Sequence, residues 1–250
     1  MIILYSGLGL VMGAVLNLAA DSLPHGRWPW KTSSCPNRGA WWSWQEWAAW
    51  TGLVSPGWEC PEDSVGPRGR RAALTLGTAL AFGFFWLRYG PSVQLLLVSL
   101  YSCLLFLIFV IDLEHRLILR VVVYPAILLA LVGSWLYPGL GLTRAVVGGA
   151  AAFAFFYLVA VLGRLVFRRT AMGGGDANLA ALVGVITGFP EVILALLVTV
   201  CLGGLVSLVL VLTGKKRLQS YIPYGVFLAA AGLIVLVFGR EIIHWYFGLY

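Results

Sequence analysis

Met172-Gly173-Gly174-Gly175-Asp176-Ala177-Asn178-Leu179 places one carboxylate, preceded by three glycines, at the start of a strongly apolar segment. The surrounding chain is 60% hydrophobic and only 11% charged over 250 residues, with a mean hydropathy of +0.91. That composition excludes an ordinary soluble domain and predicts an all-α polytopic membrane protein. A charged side chain at membrane depth costs about 2.5–3.5 kcal/mol on insertion scales, so Asp176 requires a function or a partner.

Working outward from Asp176, apolar runs separated by polar or Gly/Pro breaks predict eight transmembrane helices: 1–20, 72–88, 93–111, 118–137, 144–163, 174–188, 191–213 and 223–240. The break Thr187-Gly188-Phe189-Pro190-Glu191 divides one long apolar stretch into the sixth and seventh. The sixth is short for a bilayer. The first run has no Lys or Arg in its first twenty residues and is read as a retained helix, not a cleaved signal.

Basic residues give the expected topology. Fourteen of the 17 Lys and Arg fall in same-side connections: Arg27, Lys31, Arg38, Arg68, Arg70 and Arg71; Arg116 and Arg120; Arg164, Arg168 and Arg169; Lys215, Lys216 and Arg217. Only Arg88, Arg144 and Arg240 lie on the other side. The positive-inside rule makes the richer side cytoplasmic and puts both termini outside, in contact with lipid along the spans. The net charge of +7 is therefore a topological signal, and no nucleic-acid partner is expected.

Residues 21–71 form the one long connection, a cytoplasmic loop with eight of the eleven tryptophans, among them Trp28, Trp41 and Trp58. So much indole in some fifty residues predicts a segment lying against the lipid headgroups. The domain organisation expected is 1–20 as the first transmembrane helix, 21–71 as this loop and 72–250 as a seven-helix core.

Of the ten acids, five are in the loop, and Glu191 and Glu241 fall near the outer side. Asp112 and Glu114 close the third span in Val110-Ile111-Asp112-Leu113-Glu114-His115-Arg116, and Asp176 opens the sixth. Topology thus assigns Asp112 and Asp176 to the same membrane face. Two carboxylates within reach of one water can share a proton, one serving as base while the other serves as acid. Asp176 opens a helix, whose dipole favours the anion, whereas Asp112 closes one. Each also has a plainer reading: Asp112 as an interfacial carboxylate paired with Arg116 at i+4, Asp176 as a helix cap or ion-pathway residue. Glu114 and His115 read as solvated residues. The three glycines allow a tight turn and close approach of a substrate chain. Intramembrane acids equally suit an ion- or proton-coupled transporter.

Gly173-Gly174-Gly175-Asp176 resembles the Gly-x-Gly-Asp signature of intramembrane aspartyl proteases, and with the other motifs the chain resembles the type IV prepilin peptidases. Gly9 and Gly13-Ala14-Val15-Leu16-Asn17-Leu18, with Ser22-Leu23-Pro24, are similar to that family's N-terminal segment. Ile111-Asp112 through Ile118-Leu119-Arg120 resembles its Ile-Asp-x-x-x-x-x-Ile-Pro-Asp, and Ile222-Pro223-Tyr224-Gly225-Val226-Phe227-Leu228 its Ile-Pro-Phe-Gly-Pro-Phe-Leu. The resemblance implies an endopeptidase that removes the basic leader from type IV prepilins or pseudopilins at the cytoplasmic face of the bacterial inner membrane. It implies Asp112 and Asp176 as the catalytic pair, supported by Gly173, Gly174, Gly175, Asn178, Glu114, Pro223 and Gly225.

Several positions depart from the family. Ser22 stands for Arg, Leu119-Arg120 for Pro-Asp, Asn178 for Lys and Val226 for Pro. These departures motivate a further alternative, a non-cleaving scaffold in pilus or secretion assembly. The loop keeps only the first cysteine of each family Cys-x-x-Cys pair, Cys35 and Cys60, so a four-thiolate zinc site is excluded; Cys35 and Cys60 with His25 or Asp63 are the candidates for a poorer site, and two ordinary thiols with no metal are the expectation. Proteolysis by two carboxylates needs no cofactor. In bifunctional members S-adenosylmethionine methylates the new pilin N-terminus, an activity left open here.

Overall fold

The computed structural model describes residues 1–26, 51, 68–137, 139–167, 174–213 and 223–247. Among these the chain forms eight α-helices: α1 (Ile2–Ser22), α2 (Arg68–Tyr89), α3 (Val93–His115), α4 (Arg120–Leu136), α5 (Gly141–Phe167), α6 (Gly174–Thr187), α7 (Glu191–Leu212) and α8 (Tyr224–Phe247). The Trp-rich part of the loop, Cys35, Cys60, Gly173 and the basic residues Arg168, Arg169, Lys215, Lys216 and Arg217 lie outside the described residues.

The all-α polytopic expectation holds. Six helices, α1, α2, α3, α5, α7 and α8, are long and apolar enough to cross a membrane. Of the eight expected spans, α4 and α6 are shorter, at 17 and 14 residues. At 1.5 Å per residue α6 reaches about 21 Å, against a hydrocarbon core of about 30 Å. The break after α6 falls where the sequence placed it, at Gly188 with φ 78°, a left-handed turn that a side chain would strain. α4 begins two residues later than expected because Leu119 is extended (φ −75°, ψ 111°). α3 continues one turn past its expected end, to His115, so Asp112 sits inside its last turn.

The chain divides into two compact units, Met1–Ser99 and Leu100–Tyr250, the boundary falling within α3. In the first, α1 and α2 pack through small residues. A Cβ on Gly9 would lie 2.8 Å from the Ala79 Cα, and one on Gly13 would lie 2.6 Å from the Thr75 Cα. Thr78 Oγ1 donates to the Gly9 carbonyl (3.0 Å), and Asn17 Nδ2 donates to the Arg71 carbonyl (3.1 Å) and to Thr75 Oγ1 (3.0 Å). Backbones that approach this closely gain dispersion and interhelical hydrogen bonds where no hydrophobic drive separates helix from lipid. The N-terminal motif of Gly9, Gly13 and Asn17 is thus the seam between two helices. Asp21, expected in the loop, lies in the last turn of α1 and is ion-paired to Arg70, with Arg71 Nε 3.8 Å from its other oxygen.

In the second unit, α6 is the inner helix. Ten of its 14 residues are buried, and it packs against α4, α5, α7 and α8. Its crossing with α5 is glycine on glycine: a Cβ on either Gly148 or Gly184 would collide with the other's carbonyl oxygen, and one on Gly184 would also lie 3.0 Å from the Ala152 Cβ. We expect Gly184→Val to lower stability in detergent by at least about 1–3 kcal/mol, the usual cost of forcing atoms into a packed core. Gly204, on α7, has open space where its Cβ would stand, so Gly204→Ala should leave the thermal transition in place. Equal melting of the two variants would contradict the crossing described.

Candidate active site

The two aspartates predicted to work together are both buried, Asp112 at 2% exposure and Asp176 at 5%. Ten of the 14 residues of α6 are buried, and on α3 Ile111 beside Asp112 is buried too, so both carboxylates are withdrawn from the surface. α3 supplies Asp112 from its last turn, and α6 supplies Asp176 from its first.

Asp112 is held by the start of α8. Its Oδ2 accepts a hydrogen bond from the Val226 N–H at 2.9 Å, and the Gly225 N–H also faces the carboxylate. These amides belong to the first turn of α8, where N–H groups have no partner inside the helix and the dipole favours negative charge. Both aspartates therefore sit against a helix N-terminus. The distinction between them drawn from their own helices is incomplete, because α3 alone does not determine the field at Asp112. The backbone approaches so closely that a Cβ on Gly225 would lie 2.7 Å from Asp112 Oδ2 and 3.0 Å from its Cγ.

Ile118 links this arrangement to Asp176. It lies in the four-residue connection between α3 and α4, whose first residue, Arg116, has φ 55°. A Cβ on Gly225 would lie 3.2 Å from Ile118 Cδ1, and a Cβ on Gly175 would lie 2.8 Å from Ile118 Cβ and 3.5 Å from the same Cδ1. One side chain thus touches the residue before Asp176 and the residue that covers Asp112.

The remaining expected residues divide. Gly175 is required by Ile118, whereas Gly174 has open space where its Cβ would stand. Neither makes the tight turn expected of the glycine run, because α6 already begins at Gly174 and both are helical. Asn178 is directed to α4, with Nδ2 3.5 Å from the Tyr124 hydroxyl, the outer limit of a hydrogen bond. Pro223 directly precedes α8, which is the place where a missing N–H costs least. Glu114 is half-buried, two residues beyond Asp112 and so turned to a different side of α3. Arg116 is exposed and within electrostatic range of Asp112.

Three contributors escaped the sequence reading. Ile118 was quoted only within the motif that follows Asp112 and was given no role, because an isoleucine near a helix end is ordinary. Val226 counted only as a departure from the family's proline, yet proline has no N–H, and the bond to Asp112 exists because valine stands there. Tyr224 lies within electrostatic range of Asp176, its ring held edge-on by Phe156 and Phe227 at 5.9 and 6.2 Å. The family's phenylalanine at that position was the available clue.

Residues 99–208 match the model of the type IV leader peptidase family. The chain is 31% identical over 175 residues to a prepilin leader peptidase/N-methyltransferase of Legionella pneumophila, covering 70% of this chain and 60% of that protein. A protein of the same description from Pseudomonas putida is 31% identical over 173 residues, 69% of this chain and 60% of its own length. One from Bacillus subtilis is 29% identical over 181 residues, 70% and 68% respectively. The chain thus spans about 60% of the length of the first two relatives. No solved structure matches it. The matched segment carries Asp112, Ile118 and Asp176, and over residues 99–208 this chain is similar to the type IV leader peptidase family.

Proposed function

We propose that this protein is a membrane aspartyl endopeptidase that removes the basic leader from prepilins or pseudopilins, with Asp112 and Asp176 as its catalytic pair. The observation that carries the reading is the buried pair of carboxylates, one on α3 and one on α6, joined through Ile118. Burying two acids in an apolar bundle is costly, and acids kept at such depth mark functional sites. The substrate class follows from the relatives, which are prepilin leader peptidases.

In this mechanism one carboxylate takes a proton from water as the water oxygen attacks the scissile carbonyl, while the protonated partner donates to the carbonyl oxygen. The proton taken up then passes to the leaving amine as the C–N bond breaks. Neither aspartate forms a bond to the substrate, so no acyl-enzyme arises. The amides of Gly225 and Val226 hold Asp112 in place through the cycle. The excess of basic residues on the connections near the two aspartates supports a cytoplasmic site and external termini. The pilin's apolar helix would then lie among the spans and its basic leader would remain in the cytoplasm.

The test is to incubate the purified full chain with a synthetic prepilin and determine the new N-terminus by mass spectrometry. Release of the leader as one fragment supports the reading, and intact substrate overturns it. Proteolysis needs no cofactor. Methyl transfer, the second activity in the relatives' names, would use S-adenosylmethionine, and supplying labelled methyl donor with the cleaved product decides whether this chain performs it.

A further inference from the structure

We infer that Ile118 is a positioning residue that sets the spacing of Asp112 and Asp176, an inference that rests on the proposed catalytic pair. Its side chain stands between two helix N-termini. On one side its Cβ is the closest atom to the place a Gly175 side chain would take, at 2.8 Å, with Cγ2 at 3.4 Å. On the other, Cδ1 is 3.2 Å from the place a Gly225 side chain would take, next to the Asp112 carboxylate. The spacing from α6 to α8 at this point is the width of one isoleucine, because both neighbours are glycines and contribute no side chain of their own.

The backbone that carries Ile118 has little freedom to drift. It belongs to a four-residue connection between α3 and α4, bounded by Arg116 in the left-handed region at φ 55° and by the extended Leu119. Asp112 is on the helix that enters this connection and is bonded to α8, so the wedge and one carboxylate are covalently near each other while the second carboxylate is brought to them. Ile118 has no proton to give and touches no reacting atom. It acts only through where it holds the two acids, and a misplacement of about 1 Å in such a constellation costs about 10²-fold in rate.

The geometry distinguishes substitutions. Ile118→Val keeps Cβ and a γ-methyl against Gly175 but loses the δ-methyl that reaches Gly225. Ile118→Ala loses both γ and δ contacts. With purified full-length protein and a synthetic prepilin, we expect kcat to fall in the order wild type, Val, Ala, by about 10-fold and about 10²-fold, with KM within about twofold throughout. The separation between the two limbs of the pH–rate profile should change in the same order, because coupling between the acids depends on their distance. Should Ile118→Ala fail to fold, Ile118→Val decides alone. An unchanged kcat in Val, or a loss confined to KM, overturns the inference.

A readout without turnover separates this inference from the proposed function. Spin labels on Leu113→Cys and Gly174→Cys, exposed positions beside the two aspartates, in a chain with its native cysteines replaced by serine, should show dipolar broadening that strengthens on adding Ile118→Val, as the helices close onto the smaller side chain. If wild type releases no leader but the broadening changes, the peptidase reading fails and the spacer role stands. If wild type cleaves and the broadening is indifferent to residue 118, the spacer role fails and the peptidase reading stands.

Discussion

Asp112→Asn and Asp176→Asn should each lower leader cleavage by at least about 10²-fold, within the range that a positioned general acid or base supplies. Asparagine keeps the size of the side chain and one acceptor oxygen, so the Val226 N–H retains a partner at residue 112 and the fold is preserved. What disappears is the ability to take up and return a proton. Because the two groups act on one water, the double variant should be scarcely slower than either single one. Strong non-additivity of this kind marks residues that operate as a unit. The comparison is read by quantifying released leader over time with equal amounts of folded enzyme. Near-wild-type cleavage by either single variant would remove that residue from the mechanism. The same variants separate a peptidase from an ion pathway, since a transporter would release no leader in any form.

Gly225→Val should cost nearly as much without changing any titratable group. A Cβ at that position would stand 2.7 Å from Asp112 Oδ2 and 3.2 Å from Ile118 Cδ1, so the carboxylate, the wedge or the start of α8 must move. Carbon and oxygen at that separation are well inside ordinary contact, and the easiest relief is rotation of Asp112 away from the Val226 amide. We expect a kcat loss of about 10- to 100-fold, the effect of misplacing one reacting group by about an ångström, with the melting temperature changed far less than in Gly184→Val. Gly204→Ala, remote and unobstructed, provides the matched control with wild-type turnover. Retained activity in Gly225→Val would mean that the close approach of α8 to Asp112 has no catalytic importance.

Much of the architecture was legible because lipid imposes a simple code. Runs such as 191–213 are apolar on every side, and the Gly188-containing break is chemically obvious, so helix order was readable and α6 was recognised as short. Helix ends were less so. Hydropathy falls where charged residues begin, but a helix goes on as long as its backbone bonds are made, which is why α3 runs past Asp112 to His115 and α2 begins at Arg68. The pairing of Asp112 with Asp176 was inferred from parity of the spans, a long-range property that the order of helices preserves. The neighbours of those acids were not legible. A backbone N–H such as that of Val226 has no sequence signature, and the need for glycine comes from tertiary neighbours, Ile118 at 175 and the Asp112 carboxylate followed by Ile118 at 225. The glycines before Asp176 were therefore given a turn, when the described pair is helical and one of them serves packing. Gly9, Gly13 and Asn17 show the converse: a motif quoted for its likeness to a family proved to be a helix seam with its own physical cause.

The central claim is that two carboxylates share one catalytic proton, and the pH dependence of kcat/KM for wild-type leader cleavage tests it most directly. One aspartate must be ionised and the other protonated, so the account predicts a bell with two acid-side ionisations, each belonging to the pair and not to a single residue. A profile with one ionisation, rising to a plateau that persists after both carboxylates have lost their protons, would contradict it.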